Sequence, residues 1–214
     1  MNILGIDEAG RGCVIGPMVL GAVVVSEPDW ERLVAMGVKD SKLLSPKRRS
    51  ELLPQIQSIA MSAHAEILAV ATIDRYCAKQ SLNLLEIETM AALIRKFQPD
   101  VVYVDALGKS MSHFLARLQR CLGPFGGKIV AENRADVNYP VVSAASIVAK
   151  VTRDGLIAQL HDQLGDFGSG YTSDVKTVTF LNQYYQKFHK FPPAVRQSWS
   201  TVKRMVSKQD VWFS

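Results

Sequence analysis

The chain has 214 residues, 48% apolar and 21% charged, with a formal net charge of +5 and a pI near 9.1, which describes a soluble globular protein long enough to bury a full core and carry a small appendage. Its longest apolar stretch, "CVIGPMVLGAVVV", is too short for a membrane helix and is broken by Gly and Pro, and acids arrive by position 7 without a basic leader. Three widely spaced cysteines (Cys13, Cys77, Cys121) provide neither a CxxC motif nor a disulfide framework, so a cytoplasmic protein without a membrane partner is expected.

In chain order, "NILGID" and "MVLGAVVVS" read as β-runs joined by a Gly-rich turn and pairing antiparallel. "AEILAVAT" reads as a third. From Thr72 to about Gln98 the pattern becomes helical, with Ile87, Met90, Ala91 and Ile94 on one face and Glu86 and Arg95 off it; Pro99 closes the helix. "VVYVDAL" reads as a buried strand and "KIVAEN" as another. A long helix follows from near Pro140 to about Leu164, and its small residues ("SAASIVAK") permit close packing on a sheet. After Gly168-Ser-Gly-Tyr come two more helical stretches, "DVKTVTFLNQYYQKFHK" and "SWSTVKRMVSK", with "FPP" forcing a break between them. Neither repeats nor long linkers interrupt this order. It predicts a mixed α/β sheet rather than a uniformly alternating doubly wound fold. A core over 1–170 and a helical C-terminal region over 171–214 are expected.

Basic residues concentrate in two places. "KDSKLLSPKRR" holds five against one acid, and the last 28 residues, from Lys187, hold six against one. Acids of interest sit elsewhere. Asp7 and Glu8 end the first strand, Asp105 ends "VVYVD" in the same manner, and Asp136 lies just before the long helix. Carboxylates that converge in one cleft cannot all stay ionised without a cation. An all-oxygen donor set favours a hard ion, so Mg²⁺ or Mn²⁺ is implied, and a pair of such ions suits phosphodiester hydrolysis. Glu8 joins Asp7 only if the strand is already turning, because successive strand residues point to opposite faces. Gly10 and Gly12 make that turn feasible.

On the long helix, Ser146, Lys150 and Arg153 share one stripe by their spacing of four and three. Such a stripe is ordinarily a solvated face; beside Asp136 it would line a phosphate track. Apolar residues followed by Asp-Glu also describe a Walker B strand, but "GPFGGKIV" lacks the Gly-Lys-Ser/Thr of a phosphate loop. Four scattered histidines (His64, His113, His161, His189) give no His-ligated metal site, and a GxSxG elbow is absent.

"GIDEAGRG", "KDSK", "YVDALG", "RADVNYPVVSAASIVAKVTRD" and "FGSGYTSD" occur in that order and together resemble ribonuclease HII, with "FPPAVRQSWSTV" resembling its archaeal branch. The resemblance spans nearly the whole chain. It implies a ribonuclease H fold: a five-stranded mixed sheet flanked by helices, with a helical C-terminal region. It further implies an endonuclease that cleaves the RNA strand of RNA/DNA hybrids and incises at ribonucleotides embedded in duplex DNA, leaving 5′-phosphate and 3′-hydroxyl ends. By motif position, Asp7, Glu8, Asp105 and Asp136 would be the catalytic and metal-holding acids. Gly10, Arg11 and Gly12 would recognise the ribose 2′-hydroxyl and the scissile phosphate, Tyr171 would stack on the following deoxyribose, and Lys42 would contact the nucleic-acid backbone. Two positions depart from the pattern: Cys13 and Thr172 stand where many members have Pro, which alters the stiffness of the loops carrying Arg11 and Tyr171.

Two other readings compete. A resolvase-like DNA nuclease of the same fold would not need a turn and a ring suited to a 2′-hydroxyl. A non-catalytic nucleic-acid-binding module would be expected to lack at least one of the four acids. A monomer is expected. Some members bind a sliding clamp through a C-terminal Gln-plus-aromatic motif; in "SKQDVWFS" the spacing from Gln209 departs from that motif, and a disordered terminus is the expectation.

Overall fold

A computed structural model describes residues 1–38, 44–79, 81–108 and 110–210, with 208–210 described by backbone alone. The elements, in order, are β1 (Asn2–Ala9), β2 (Met18–Ser26), α1 (Asp29–Ala35), α2 (Pro46–Ile59), β3 (Ser62–Leu68), α3 (Val70–Cys77), α4 (Leu82–Phe97), β4 (Val101–Asp105), α5 (Met111–Leu122), β5 (Lys128–Glu132), α6 (Ala135–Asn138), α7 (Pro140–Leu164), α8 (Val175–Phe188) and α9 (Ser200–Asp210). The strands form one five-stranded sheet in the order β3-β2-β1-β4-β5. β1 is antiparallel to β2 and parallel to β4, and β4 is parallel to β5. This is the mixed sheet expected from the sequence. β2 and most of β1 are buried on both faces, which is why they read as unbroken apolar runs rather than alternating ones.

Several boundaries differ from the expectation. β3 starts at Ser62, ends at Leu68, and is half-buried along most of its length, so its apolar signal is diluted. "VAT" belongs instead to α3. The helix expected over 72–98 is two helices, because the chain leaves helical geometry after Cys77 and re-enters at Leu82. Glu86, placed off the apolar face by the pattern, is buried along with Ile87, Met90, Ala91 and Ile94. Helices α1, α2 and α5 were passed over: α2 is polar on average, with Pro54 inside it, and each of the three buries only one to three residues.

The chain packs as two compact units: Met1–Ala9, Val19–Ile67 and Asn83–Arg153 form one, and Gly10–Met18, Leu68–Leu82 and Asp154–Ser214 the other. This division by packing differs from the split after 170, which follows the onset of the helical tail. In the first unit, Ile3, Val23 and Val25 of the sheet meet Leu33 of α1, Leu52 and Ile56 of α2, and Val141, Ala144, Ala145 and Val148 of α7 in one core cluster. In the second, Val14 and Ile15 join Phe167, Leu181, Phe191, Val195 and Val202 in another.

The approach of α7 to the sheet sets the geometry that follows. A Cβ on Gly5 would overlap the backbone of Val141, and one on Gly21 would overlap the carbonyl of Ala145 and lie 3.0 Å from the amide nitrogen of Ala149. Gly21 pairs with Asp7 across the β1–β2 ladder, and Gly5 lies two residues before Asp7, so all three share the face that α7 covers. Bare backbone on the sheet and small residues on the helix let the two approach closely. The Ser143 hydroxyl fixes the helix further by donating to the carbonyl of Val38. Because the atoms opposing Gly21 are main chain and cannot rotate away, Gly21→Ala should cost about 1–3 kcal/mol of stability. A lowered urea midpoint with an unchanged m-value would show it.

Candidate active site

Asp7 lies near the end of β1 and is 5% exposed. The parallel pairing of β1 with β4 ends at Ile6↔Val104, so Asp7 and Asp105, the next residue of each strand, come at the same end of the sheet. Ala135 at the start of α6 donates its backbone N–H to Asp105 Oδ1 at 3.2 Å, which ties Asp105 to the short helix carrying Asp136. Arg134 reverses the chain into that helix at a left-handed φ of 63°. Asp136, on the short helix α6, is 1% exposed, so it is held in packed structure. Glu132, in register with Asp105 on β5, braces the same turn by accepting from the Asn138 side-chain amide at 3.1 Å. It also accepts from the Tyr139 hydroxyl, whose pKa is pushed up by that bond first and then by burial. "KIVAE" ends in an acid just as the other two strands do, a signal that the sequence reading did not use.

Glu8 is still paired with Leu20, and Ala9 with Val19, so the turn expected at Glu8 begins only at Gly10; a turning strand proves unnecessary, because the Glu8 charge already acts on its neighbour Asp7. Oε2 of Glu8 is sealed from solvent, as are both carboxylate oxygens of Asp136. Burial, and next the charge of Glu8, push the Asp7 carboxyl up from 3.8 to about 8. Opposing them are a hydrogen bond from Ser146, the charge of Lys150 and the Glu8 backbone N–H. Lys150 Nζ donates to Ser146 Oγ at 2.6 Å. The stripe on α7 therefore faces the acid and not solvent: Ser146 is fully buried, Arg153 is buried and Lys150 half-buried. Among the described residues, no three His, Cys, Asp or Glu side chains are arranged to hold a metal ion as they stand. The donor chemistry nonetheless suits a hard cation, since a buried aspartate beside a second carboxylate ionises at neutral pH only with added positive charge.

The other expected residues gather in the second unit. Gly10 is buried at φ 84°, and Cys13 donates its N–H to the Gly10 carbonyl at 3.4 Å, a bond that Pro at this position would lack. Cys13 forms an isolated bridge with Tyr171, and Val14 and Ile15 both donate to the Gly170 carbonyl, at 2.8 and 3.2 Å. A Cβ on Gly12 would lie 3.8 Å from the Tyr171 ring, so the turn and the ring are neighbours. Tyr171 is 41% exposed. Its loop is fastened below: Gly170 donates to Thr177 Oγ1 at 3.0 Å, Thr177 donates to the Phe167 carbonyl at 2.9 Å, and Ser169 donates through its N–H and hydroxyl to Asp174. Those Ser169 bonds hold Asp174 down at about 2. Lys42 lies outside the described residues, as do the side chain of Gln209 and residues 211–214.

Sequence reasoning missed Arg196. Counted there among the basic residues of the tail, it is fully buried, and its guanidinium donates to the carbonyls of Gly10, Arg11 and Gly16.

The family model described as ribonuclease HII matches residues 4–202. The chain belongs to the ribonuclease HII family. It is 47% identical to the ribonuclease HII of Pyrococcus furiosus over 96% of this chain and 91% of that protein. The crystal structure of the Pyrococcus horikoshii ribonuclease H2 superposes with a TM-score of 0.90 at 38% identity, covering 97% of this chain and 98% of that one. A ribonuclease HII from Archaeoglobus fulgidus, solved in complex with PCNA, has a TM-score of 0.84 at 38% identity over 94% and 96% of the two chains. As a ribonuclease HII, the protein is an endonucleolytic hydrolase that acts on the RNA strand of RNA/DNA hybrids and binds such hybrids. Among the described residues, no helix is long and apolar enough to cross a membrane.

The Asp7 pKa makes a signed prediction for the metal-free protein. A carboxyl at about 8 in the folded state and 3.8 in the unfolded state keeps its proton longer when folded. Its contribution is fully present below the unfolded value, and stability falls as pH rises through the window up to about 8. Asp7→Asn removes that loss. In EDTA, its thermal midpoint should exceed that of the parent protein by more at pH 8 than at pH 5; an equal difference at both would disprove the burial of the charge.

Proposed function

We propose that the protein incises 5′ of ribonucleotides embedded in duplex DNA, as well as cutting the RNA strand of hybrids, by metal-assisted hydrolysis. A water oxygen attacks phosphorus, the bond from phosphorus to the preceding 3′-oxygen breaks, and the products carry 5′-phosphate and 3′-hydroxyl ends. In this reading Asp7, Glu8, Asp105 and Asp136 hold the cations, Mg²⁺ or Mn²⁺. Two such ions together supply an activated water and charge stabilisation for the leaving oxygen. Ser146 and Lys150 orient the Asp7 carboxylate by their hydrogen-bonded chain, and Lys150 retains enough exposure to meet a backbone phosphate as well. Lys42 is assigned to the nucleic-acid backbone by its motif alone.

One observation carries the substrate reading: an exposed ring lies against a glycine that the fold itself does not require. Gly12 is absent from the positive-φ residues, and a Cβ there would make only an ordinary contact with Tyr171. A glycine on such a turn, where a side chain would be tolerated by the fold, lets a strand approach the backbone N–H groups, and the adjacent ring offers a sugar an apolar face. Gly10, Arg11 and Gly12 would read the 2′-hydroxyl and the phosphate, and Tyr171 the deoxyribose that follows. The relative solved with PCNA supports a sliding clamp as a further partner, and in this reading the protein acts as a cytoplasmic monomer.

Duplexes with and without one ribonucleotide, in Mg²⁺ or Mn²⁺ against EDTA, test the reading. Cleavage confined to the ribonucleotide and to added metal is expected. Cutting of all-DNA duplexes would favour the resolvase-like alternative, and binding without cleavage would favour the non-catalytic module. Asp105→Asn should abolish cleavage without unfolding the protein.

Tyr171→Ala should lose about 1–3 kcal/mol of transition-state stabilisation on the single-ribonucleotide duplex, the worth of one stacking contact, while Tyr171→Phe keeps most activity. Gly12→Ala should leave the melting temperature unchanged and raise KM. A uniform loss on every substrate would reduce Tyr171 to a loop anchor.

A further inference from the structure

The turn Gly10-Arg11-Gly12 is held by Arg196, and Arg196 is itself held. Its Nε donates to the Gly16 carbonyl at 2.9 Å, Nη1 to the Arg11 carbonyl at 3.0 Å and Nη2 to the Gly10 carbonyl at 2.8 Å. Its backbone N–H donates to the Val14 carbonyl at 2.8 Å, and its guanidinium lies 4.9 Å from the Trp199 ring centre. A planar fork reaching three carbonyls tolerates little displacement of the main chain that carries it.

That main chain is pinned by an acid outside the carboxylate group described above. Asp74, half-buried on α3, accepts the N–H of Gln197 on Oδ2 at 2.9 Å. Its Oδ1 accepts the N–H of Ser198 at 3.0 Å and the Ser198 hydroxyl at 2.5 Å. These are the two residues immediately after Arg196. Charge-assisted bonds of this kind are stronger than neutral ones, and two directed at consecutive amides fix both the position and the direction of a turn.

We propose that Asp74 is a positioning residue for ribonucleotide recognition, acting through the 197–198 turn and Arg196 on the Gly10-Arg11-Gly12 backbone. The proposal rests on the reading that this turn contacts the ribonucleotide. It assigns Asp74 a role in substrate affinity and not in bond breaking. A residue that merely anchored α3 would lower stability alike for every readout and leave KM untouched below the melting transition.

The test uses Asp74→Ala, the isosteric Asp74→Asn, Arg196→Lys and the Asp74→Asn/Arg196→Lys double variant in the full chain, well below their melting temperatures. On duplex DNA with one ribonucleotide, Asp74→Ala should raise KM about tenfold and change kcat less than threefold. Asp74→Asn, which keeps an acceptor but loses the charge, should fall between it and the parent protein. Hydrogen exchange should accelerate across 10–18 in each single variant while peptides over 101–105 keep their parental rates. The double variant should be no worse than the worse single one, because the two residues act in series. Parental exchange across 10–18, or additive effects in the double variant, would overturn the proposal whatever the activity. Should Asp74→Ala fail to fold, Asp74→Asn carries the same readouts. The exchange measurement needs no substrate: acceleration across 10–18 supports the link even if the duplex is never cut, in which case the functional reading fails instead.

Discussion

The contact between α7 and bare strand backbone governs the acid group. Gly5 and Gly21 let the helix descend until the Ser146 hydroxyl reaches Asp7, and the same descent strips water from that carboxylate. Larger side chains would lift the helix, hydrate Asp7 and return it to ordinary acidity. Packing and electrostatics are thus one constraint here. Small residues on α7 serve proximity, and proximity creates a carboxylate that cannot be charged cheaply without a cation.

Much of this was legible in the residues. Apolar runs ending in Asp marked β1, which is buried on both faces for most of its length, and β4, whose half-buried face still carries Val101 and Tyr103. α7 was read to its ends because Pro140 opens it and its small residues persist. Its polar stripe was harder: Ser146, Lys150 and Arg153 look like a solvated face until the depth of the helix is known, and that depth depends on glycines more than a hundred residues away. β3 was displaced because it is only half-buried and carries His64 and Glu66, which break the apolar signal. Helices α1 and α2 bury so little that their pattern is faint, whereas α5 places Phe114, Leu118 and Leu122 at regular helical spacing, a stripe the residues themselves display.

Arg196 and Asp74 were illegible for a different reason. Most of their partners are backbone carbonyls and amides, which nearly every residue possesses, so no pattern of side chains announces them. An arginine in "AVRQSW" reads as one more surface charge. Only the fold shows that its positive charge neutralises a cluster of carbonyl dipoles beneath a turn rather than attracting an external anion.

The interleaving of the second unit bears on how the chain is made. Gly10–Met18 emerges early, yet the groups that satisfy it, the Gly170 carbonyl and the Ala194–Arg196 segment, come more than 150 residues later. During synthesis the β1–β2 hairpin can form while the loop joining its strands waits, with no native partner yet available for the backbone of Val14 and Ile15. Closing so long a separation is entropically costly and slow. The segment with the Gly10-Arg11-Gly12 turn is therefore expected to mature last, so a ribosome-bound chain would acquire its sheet well before that turn took its native form.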